Sequence, residues 1–480
     1  MRPDIKTDSM VVFIALTMLL GMTGCAPVGP DYAAPEIAVS GNWQTTFAGN
    51  AQPELPDPSH LACWWANFND PILSGLIERA IAEGLDVQNS LARLREARAR
   101  YGISDAALFP NLDLSADATW SRSGNDPAGD AYGSGLDAGW ELDLFGGLRR
   151  AKEAAEADLQ ADAADLYDVM VSLTAEVGLG YVDLRMDQAR LAVTRTNIDS
   201  QQETHDLIQG RYSVGLSNEL DLQQARYNLE STRSRVPSLL TSIVASRNRL
   251  AVLTGQAPGK LDRLLAERQP LPVAPVTIAV GVPADMLQRR PDIRRAEREL
   301  AAQTARIGEA EAERYPQIRL SGSIGIEASK LADLFESGTL FWNHGPRISW
   351  PIFDASAIRN AVNAQEALQA QARIAYESAV LEALEEVENA MTAFAQEQLR
   401  RLRLAEAAEA AECAEKLARG KYMAGLIDFS EVLEAQRSLL SFQEQLVESD
   451  GTITANLIRL YKALGGGWTP AMTNKGIPSP

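Results

Sequence analysis

Long proline-free stretches of the chain carry apolar residues at every seventh position. The clearest series in the first half is Met170, Val177, Leu184, Leu191 and Ile198. A strict seven-residue spacing predicts helices that supercoil left-handedly against their neighbours. About sixty residues of continuous helix span roughly 90 Å at 1.5 Å per residue, which is more than a globular domain needs. The spacing therefore predicts a long bundle or tube of helices.

A second pattern, alternation of apolar and polar residues, occurs in four short segments. In the first segment, from Leu112 to Trp120, the even positions are apolar and the odd positions are polar. This period of two predicts strands with one apolar and one polar face. The predicted strands are residues 112–121, 136–145, 317–327 and 346–353. Two hairpins of such strands are typical of a transmembrane β-barrel, and a soluble antiparallel sheet with one wet face is the alternative.

The two halves of the chain repeat one another. The apolar heptad series from Leu222 to Leu250 recurs 210 residues later, from Val432 to Leu460. Upstream, Phe109 and its neighbours match Tyr315 and its neighbours at an offset of 206. Such a duplication indicates one elongated body, whereas 480 residues alone would suggest about three globular domains.

The repeat and the proline-rich stretches divide the chain into six segments. They are a signal peptide, an extended N-terminal segment, the first repeat, a proline-rich connector, the second repeat and a flexible tail. In this order they cover residues 1–24, 25–70, 71–255, 256–283, 284–465 and 466–480. The predicted long helices are residues 148–207 and 218–254 in the first repeat, and 356–418 and 429–464 in the second.

The N-terminus has the features of a lipoprotein export signal. Arg2 and Lys6 precede an apolar run that is too short to cross about 30 Å of hydrocarbon as a helix. Small residues stand just before Cys25, as in bacterial lipoproteins whose cysteine becomes the lipidated first residue. We therefore predict a covalent lipid, palmitate included, on Cys25. An ordinary signal peptide with a chance cysteine is the alternative.

Composition argues against several other functions. The formal net charge is −19, and the basic residues do not cluster in the sequence. Both observations argue against nucleic acid as a partner. The three histidines are far apart in sequence, and no phosphate-binding loop, nucleophile motif or metal-spaced cluster occurs. We therefore expect no enzyme, catalytic residue, metal or cofactor, and we interpret Cys63 and Cys413 as ordinary thiols. A lipid-anchored periplasmic coiled-coil adaptor or scaffold would explain the heptads but not the four amphipathic strands.

Four strands cannot close a barrel within one chain. An unpaired backbone group in lipid costs several kcal/mol, so several chains would have to contribute strands. Dimers, trimers and tetramers would give eight, twelve and sixteen strands. Side chains fill an eight-stranded barrel, whereas the acidic residues on the polar strand faces, such as Asp113 and Asp137, need water. The larger assemblies are therefore favoured.

The duplicated halves, Cys25 and the turns at residues 211–216 and 421–426 resemble the outer-membrane efflux proteins of the TolC class. The lipoprotein branch typified by OprM and NodT is the most similar. The resemblance implies an α+β membrane protein that assembles as a homotrimer. The trimer would form a twelve-stranded transmembrane β-barrel joined to a long α-helical barrel, with a mixed equatorial layer. It implies a passive outer-membrane channel that extends into the periplasm as one component of a tripartite efflux or secretion system. A periplasmic adaptor (membrane fusion protein) and an inner-membrane pump would be its partners.

The resemblance also implies a gate at the periplasmic end. Aligned on the glycine of each turn, the gating positions fall on Asp221, Tyr422, Glu431 and Glu434, while Ile427 stands where the prototype has an arginine. Glu431 and Glu434 share one helix face, so three copies would give acidic rings that attract cations. A solvated face near a helix start is the alternative. The implied adaptor-contact tips are Val214, Gly215, Leu216, Ala424, Gly425 and Leu426.

Overall fold

The structure is a computed structural model. It describes residues 26–35, 43, 51–52, 61–122, 124, 128–272, 278–279 and 289–468. The predicted signal peptide and Cys25 lie outside the described residues, as do much of the N-terminal segment, part of the connector and residues 469–480.

Long helices and a small number of strands make up the described residues. In chain order the elements are β1 (Ala51–Gln52), a 3-10 helix (Trp64–Phe68), α1 (Pro71–Glu83), α2 (Leu85–Ala106), β2 (Asn111–Ser121), β3 (Gly129–Leu142), α3 (Gly147–Ser213), α4 (Glu219–Leu253), α5 (Asp262–Leu265), β4 (Ile278–Ala279), α6 (Pro291–Ala312), β5 (Gln317–Ala328), a 3-10 helix (Leu331–Asp333), β6 (Leu340–Ser349), α7 (Ala357–Met423) and α8 (Phe429–Ala463). Helices α3 and α7 have 67 residues each, and α4 and α8 have 35 each. The two halves thus form matching long hairpins. In the part of the chain described, no helix has the length and hydropathy needed to cross a membrane.

The chain divides into two compact units, and each draws on both halves of the sequence. The first comprises residues 1–37, 93–163 and 295–378 and contains an antiparallel sheet with the strand order β2-β3-β5-β6. Its register aligns Leu114, Leu136, Ile324 and Trp342 in one row, and all four are exposed. On the other face, Asp137 accepts hydrogen bonds from Ser115 (2.7 Å) and Ser323 (2.6 Å).

Two of the predicted strands are misplaced. β3 covers Gly129–Leu142 and not residues 136–145. It ends at Leu142 because the Asp143 carboxylate accepts hydrogen bonds from backbone N–H groups in the first turn of α3, at Leu148 and Arg149. β6 covers Leu340–Ser349 and not residues 346–353. It ends just before Pro351, which has no N–H to give to a ladder.

The strand ends are fixed in the same way in both halves. The indole Nε1 of Trp140 donates to the carbonyl oxygen of Leu108 at 2.9 Å. The indole of Trp350, 210 positions later, donates to the carbonyl oxygen of Arg314 at 3.0 Å. In each half the acceptor is the turn at the end of the preceding helix, so the strand end is tied to that helix by one hydrogen bond.

An N-terminal strap, residues 26–35, packs on the helices of the first unit. Arg150 is almost fully buried and donates hydrogen bonds to the carbonyl oxygens of Val28 (3.0 Å) and Gly29 (3.3 Å). It also pairs with Asp31 at 2.7 Å. Desolvation opposes the charge of Arg150, but its carboxylate partners raise the pKa on balance. Arg150 therefore remains charged and holds the strap in place.

The second unit comprises residues 38–92, 164–294 and 379–480. Its core contains the fully buried Trp64, which stacks on Tyr461 with the ring centroids 5.8 Å apart. Residues 466–468, assigned from sequence to the flexible tail, are packed in this unit. The Gly467 N–H donates to the Leu61 carbonyl, and Trp468 stacks on Tyr167. The start of the predicted tail was therefore wrong, because glycines allow the chain to lie close against Leu61.

The predicted heptad series describes the core only in its first part. Met170, Val177, Leu184 and Leu191 are buried, whereas Ile198 is only partly buried. A straight helix turns every 3.6 residues, so a seven-residue series drifts by about 20° per heptad. The next four buried positions after Leu191 form instead a polar seam, before the buried Ile208: Thr194, Asn197, Gln201 and Thr204.

This polar seam joins α3 to α8. The Asn197 side chain donates to Gln443 Oε1 at 2.8 Å, and the Gln436 side chain donates to the Thr204 hydroxyl at 2.9 Å. Buried polar pairs at fixed positions restrict the register of two helices. The α3 and α8 helices are therefore held in one antiparallel alignment next to the turns described below.

Candidate functional site

Two tight turns end the long hairpins, one between α3 and α4 and one between α7 and α8. In the first, Gly215 has a φ of 75° and donates its N–H to the Tyr212 carbonyl at 3.0 Å. Leu216 donates its N–H to the Arg211 carbonyl at 2.8 Å. The second turn has the same two bonds around Gly425, whose φ is 73°. Both turns are glycine C-caps in which the left-handed residue satisfies the last carbonyls of a helix.

The two turns present apolar side chains to solvent. Val214, Leu216 and Leu426 are each about two-thirds or more exposed, at 68%, 67% and 72%. A Cβ added to Gly215 or Gly425 would meet no atom within 4 Å. Backbone conformation, and not packing, therefore requires glycine in the turns, and the exposed apolar side chains remain available for contact.

A buried cluster next to the turns joins the two hairpins. We call it the tip cluster, and its buried members are Ile208, Ala225, Tyr422, Phe429, Val432 and Leu433. Leu222, Ala418 and Ile427 pack against it. Since α3 and α4 contribute from one side and α7 and α8 from the other, the tip cluster holds the ends of all four helices together.

Tyr422 lies inside the tip cluster. Its ring is 5.3 Å from the ring of Phe429, with a tilted geometry, and the Arg211 guanidinium carbon lies 5.3 Å from its centroid. The Arg211 Nε is buried and has no hydrogen-bond partner among the described residues. The equivalent tyrosine of the first half, Tyr212, is 42% exposed. Sequence reasoning missed Arg211, although it stands in the turn motif that matches Lys421.

Glu431 and Glu434 line a groove on the second hairpin. This acidic groove has a volume of about 620 Å³, and Lys421 and Asp428 also line it. Both glutamates are exposed, and Glu431 lies in the first turn of α8. A carboxylate there is stabilised by the positive end of the helix dipole. The groove therefore carries concentrated negative charge beside one basic side chain.

Asp221 is not among the described residues that line the acidic groove or form the tip cluster, although its neighbour Leu222 packs against the cluster. It is in the first turn of α4, where its N–H donates to the Asn218 side chain at 2.8 Å. Its carboxylate accepts a hydrogen bond from the Ser217 hydroxyl at 2.8 Å. The structure thus brings Glu431 and Glu434 together, buries Tyr422 behind Arg211, and gives Asp221 a part in the cap of α4.

The described residues contain no group of three or more His, Cys, Asp or Glu side chains that could hold a metal ion. Cys63 is partly buried and Cys413 is exposed, and both are free thiols.

A family model described as outer membrane efflux protein matches residues 76–256 and 282–466. The chain belongs to the outer membrane efflux protein family. Among relatives, Nodulation protein T of Rhizobium leguminosarum bv. trifolii is 33% identical over 454 residues, covering 94% of this chain and 96% of that protein. The toluene efflux pump outer membrane protein TtgF of Pseudomonas putida is 31% identical over 470 residues, covering 95% and 97%.

The fold agrees with solved structures of the same kind. The outer-membrane channel OprN aligns with a TM-score of 0.85 and 34% identity over 92% of this chain and 100% of that chain. These matches confirm the predictions that the chain is an outer-membrane efflux component that extends into the periplasm and is not an enzyme. They favour the channel over the coiled-coil adaptor, since the matched proteins are outer-membrane channels with a helical barrel and a β domain.

Proposed function

We propose that three copies of this chain form a passive outer-membrane channel of a tripartite efflux or secretion system, gated at its periplasmic end. The observation that carries the proposal is the four-stranded sheet, whose outer strands β2 and β6 each have one edge without a partner strand among the described residues. One face of this sheet presents a continuous row of exposed apolar side chains. Such a face suits lipid, but its open edges do not.

Pairing of β6 in one copy with β2 in the next would remove every edge. Three copies of four strands make twelve strands. Asp113 and Asp137 lie opposite each other on the polar face, where a lumen of that size supplies water. The same closure brings long helices of neighbouring copies side by side. Exposed Leu381 and Leu402 on α7 would then be covered.

The gate and the partners belong to the same proposal. The acidic groove with Glu431 and Glu434 would face the lumen, the tip cluster with Tyr422 would hold it narrow, and Asp221 would fix the start of α4. The exposed tips are Val214, Gly215, Leu216, Ala424, Gly425 and Leu426, and they would meet a periplasmic adaptor. The adaptor would couple the channel to an inner-membrane pump that supplies the energy.

The proposed lipid on Cys25 would anchor the chain to the outer membrane. The support is the strap that follows it: buried Arg150 holds Val28 and Gly29 close to the end of β3, where the Val28 N–H donates to the Phe145 carbonyl at 3.0 Å. A lipid attached just before the strap would therefore be confined near the base of the sheet.

Cross-linking of the sheet edges tests the closure. With Cys63 and Cys413 changed to serine, Asn343→Cys on β6 is combined in turn with Asp113→Cys, Ser115→Cys or Asp117→Cys on β2. These positions share the polar face. Oxidation of membranes is expected to give a band of three linked chains on a denaturing gel in at least one combination.

A pair on an inner strand is the matched control. Asp137→Cys on β3 with Asn343→Cys has β5 between its two positions, so copies should not become linked. A ladder that stops at two chains in every edge combination would contradict closure by three copies.

A further inference from the structure

We propose that Arg211 is a latch residue, whose guanidinium, stacked on Tyr422, holds the two hairpins together at the tip and resists opening of the channel. This inference rests on the proposed function, because it describes how the same gate is kept closed. Arg211 stands in the last turn of α3, and Tyr422 stands in the last turn of α7. Their contact therefore spans the two halves of the chain.

The surroundings of Arg211 favour an aromatic partner over an ionic one. Among the residues described, no carboxylate lies within ion-pair distance of Arg211, and its Nε is buried without a hydrogen bond. A guanidinium over the face of a tyrosine ring is attracted by the ring quadrupole, most strongly where water is excluded. The 5.3 Å separation lies within the usual range for this contact.

The stack continues beyond the pair. Tyr422 packs on Phe429 at the start of α8, so three side chains connect the end of α3, the end of α7 and the beginning of α8. Any movement that separates the hairpins must expose the Tyr422 ring and withdraw the cation from it. The latch thus opposes opening directly, and the repeat-equivalent Tyr212 cannot do so because it faces solvent.

Charge and ring can be tested separately. Arg211→Met keeps the approximate length of the side chain and removes the charge, while Tyr422→Leu keeps an apolar side chain and removes the ring. Each is expected to raise the ratio of open to closed time in planar bilayers at least fivefold, the effect expected for loss of one desolvated cation–π contact. The conservative changes Arg211→Lys and Tyr422→Phe should each restore most of the closed state.

Two controls separate the latch from general effects. Tyr212→Leu removes the exposed repeat-equivalent ring, and Arg226→Met removes an exposed cation from α4. Both should leave the ratio within twofold of the unmodified protein. The double variant Arg211→Met with Tyr422→Leu should have the same ratio of open to closed time as the single variants. Each single change already removes the contact between the two side chains, so the second change has nothing further to remove.

Amide hydrogen exchange tests the latch without using conduction. The N–H groups at residues 420–430 should exchange at least fivefold faster in Arg211→Met than in Arg226→Met, with the oligomer mass unchanged. If exchange and open ratio in Arg211→Met both equal those of the unmodified protein, the latch is wrong. If no variant conducts but exchange still rises in Arg211→Met, Arg211 does hold the two hairpins together, and the proposed channel is contradicted.

Discussion

At the residue scale, the two glutamates of the acidic groove have two explanations that differ in a measurable way. As charges around a lumen, Glu431 and Glu434 would enrich cations. As ordinary exposed residues near a helix start, they would only interact favourably with the positive end of the α8 dipole. Their shared position on one groove supports the first explanation.

Neutralising the two glutamates should lower the preference for cations. With Glu431→Gln and Glu434→Gln, we expect the ratio of cation to anion permeability, measured from reversal potentials in a salt gradient, to fall at least twofold. Glu448→Gln, an exposed position on α8 outside the groove, is the matched control and should leave the ratio unchanged. Equal ratios in both variants would show that the groove does not line the conducting path.

A buried acid in α3 predicts a pH dependence. Burial raises the pKa of Asp187 above its ordinary value, and the Arg190 guanidinium, 3.8 Å away, only partly offsets this. The folded protein therefore binds the proton of this group more tightly than the unfolded chain. The carboxyl costs no stability at low pH and lowers stability as pH rises through its ordinary value.

Asp187→Asn removes this titration. The variant should unfold at a higher temperature than the unmodified protein at pH 7, and the advantage should shrink as the pH falls toward 4. Asp199→Asn, at an exposed position of the same helix, should show no such trend. A constant difference across this pH range would mean that Asp187 is not a source of instability.

Tyr422 illustrates what the sequence could not reveal about the site. Tyr212 and Tyr422 occupy equivalent positions in nearly equivalent turns, yet one faces solvent and the other is buried. Pattern and spacing treat them alike. The difference arises from how the two hairpins pack, so the partnership of Arg211 with Tyr422 became visible only in three dimensions.

At the element scale, the long helices, the turns and the sheet follow closely from local patterns. Alternation predicted four strands with one apolar and one polar face, and the register aligns those faces as expected. The predicted bounds of β3 and β6 were wrong because alternation does not show where a strand stops. The cap formed by Asp143 ends β3, and Pro351 prevents β6 from continuing. The polar seam beyond Leu191 was missed because a seven-residue template cannot follow the drift of a helix with 3.6 residues per turn.

Two glycines at the end of the first long hairpin, one in the turn and one in α3, should respond to alanine with opposite changes in stability. Gly215→Ala places a side chain at a φ of 75°, which should destabilise the protein by about 1–2 kcal/mol. Gly210→Ala lies inside α3 with open space around the new methyl group, and should stabilise it by about 0.5–1 kcal/mol. Thermal unfolding of the two variants measures both. A stabilising Gly215→Ala would contradict the left-handed turn.

The N-terminal strap gives a prediction about a whole segment. Arg150→Met removes its charged hydrogen bonds to Val28, Gly29 and Asp31, and bonds of this type contribute about 1.5–3 kcal/mol. Proteolysis within residues 26–35 should therefore become at least tenfold faster. Arg100→Met breaks an exposed ion pair with Glu96 and should leave the rate unchanged. Equal cleavage rates in both variants would show that Arg150 does not hold the strap.

At the scale of the whole molecule, the family is settled by matches over both halves of the chain, while the assembly is inferred from what one chain leaves unpaired. Within the described residues the sheet has two open edges and an exposed apolar face, and the proposed trimer rests on these two features. Exposed apolar side chains along α7 point to the same conclusion for the helices. The strand count leads to the same expectation from sequence, since four strands are too few to enclose water.

Single-channel conductance of the purified, detergent-extracted protein in a planar bilayer, with the oligomer mass measured in the same preparation, tests the central claim most directly. We expect a mass of three chains and discrete, cation-preferring openings whose preference for cations falls when Glu431 and Glu434 are neutralised. A species that stays soluble after removal of its lipid and never conducts would contradict it.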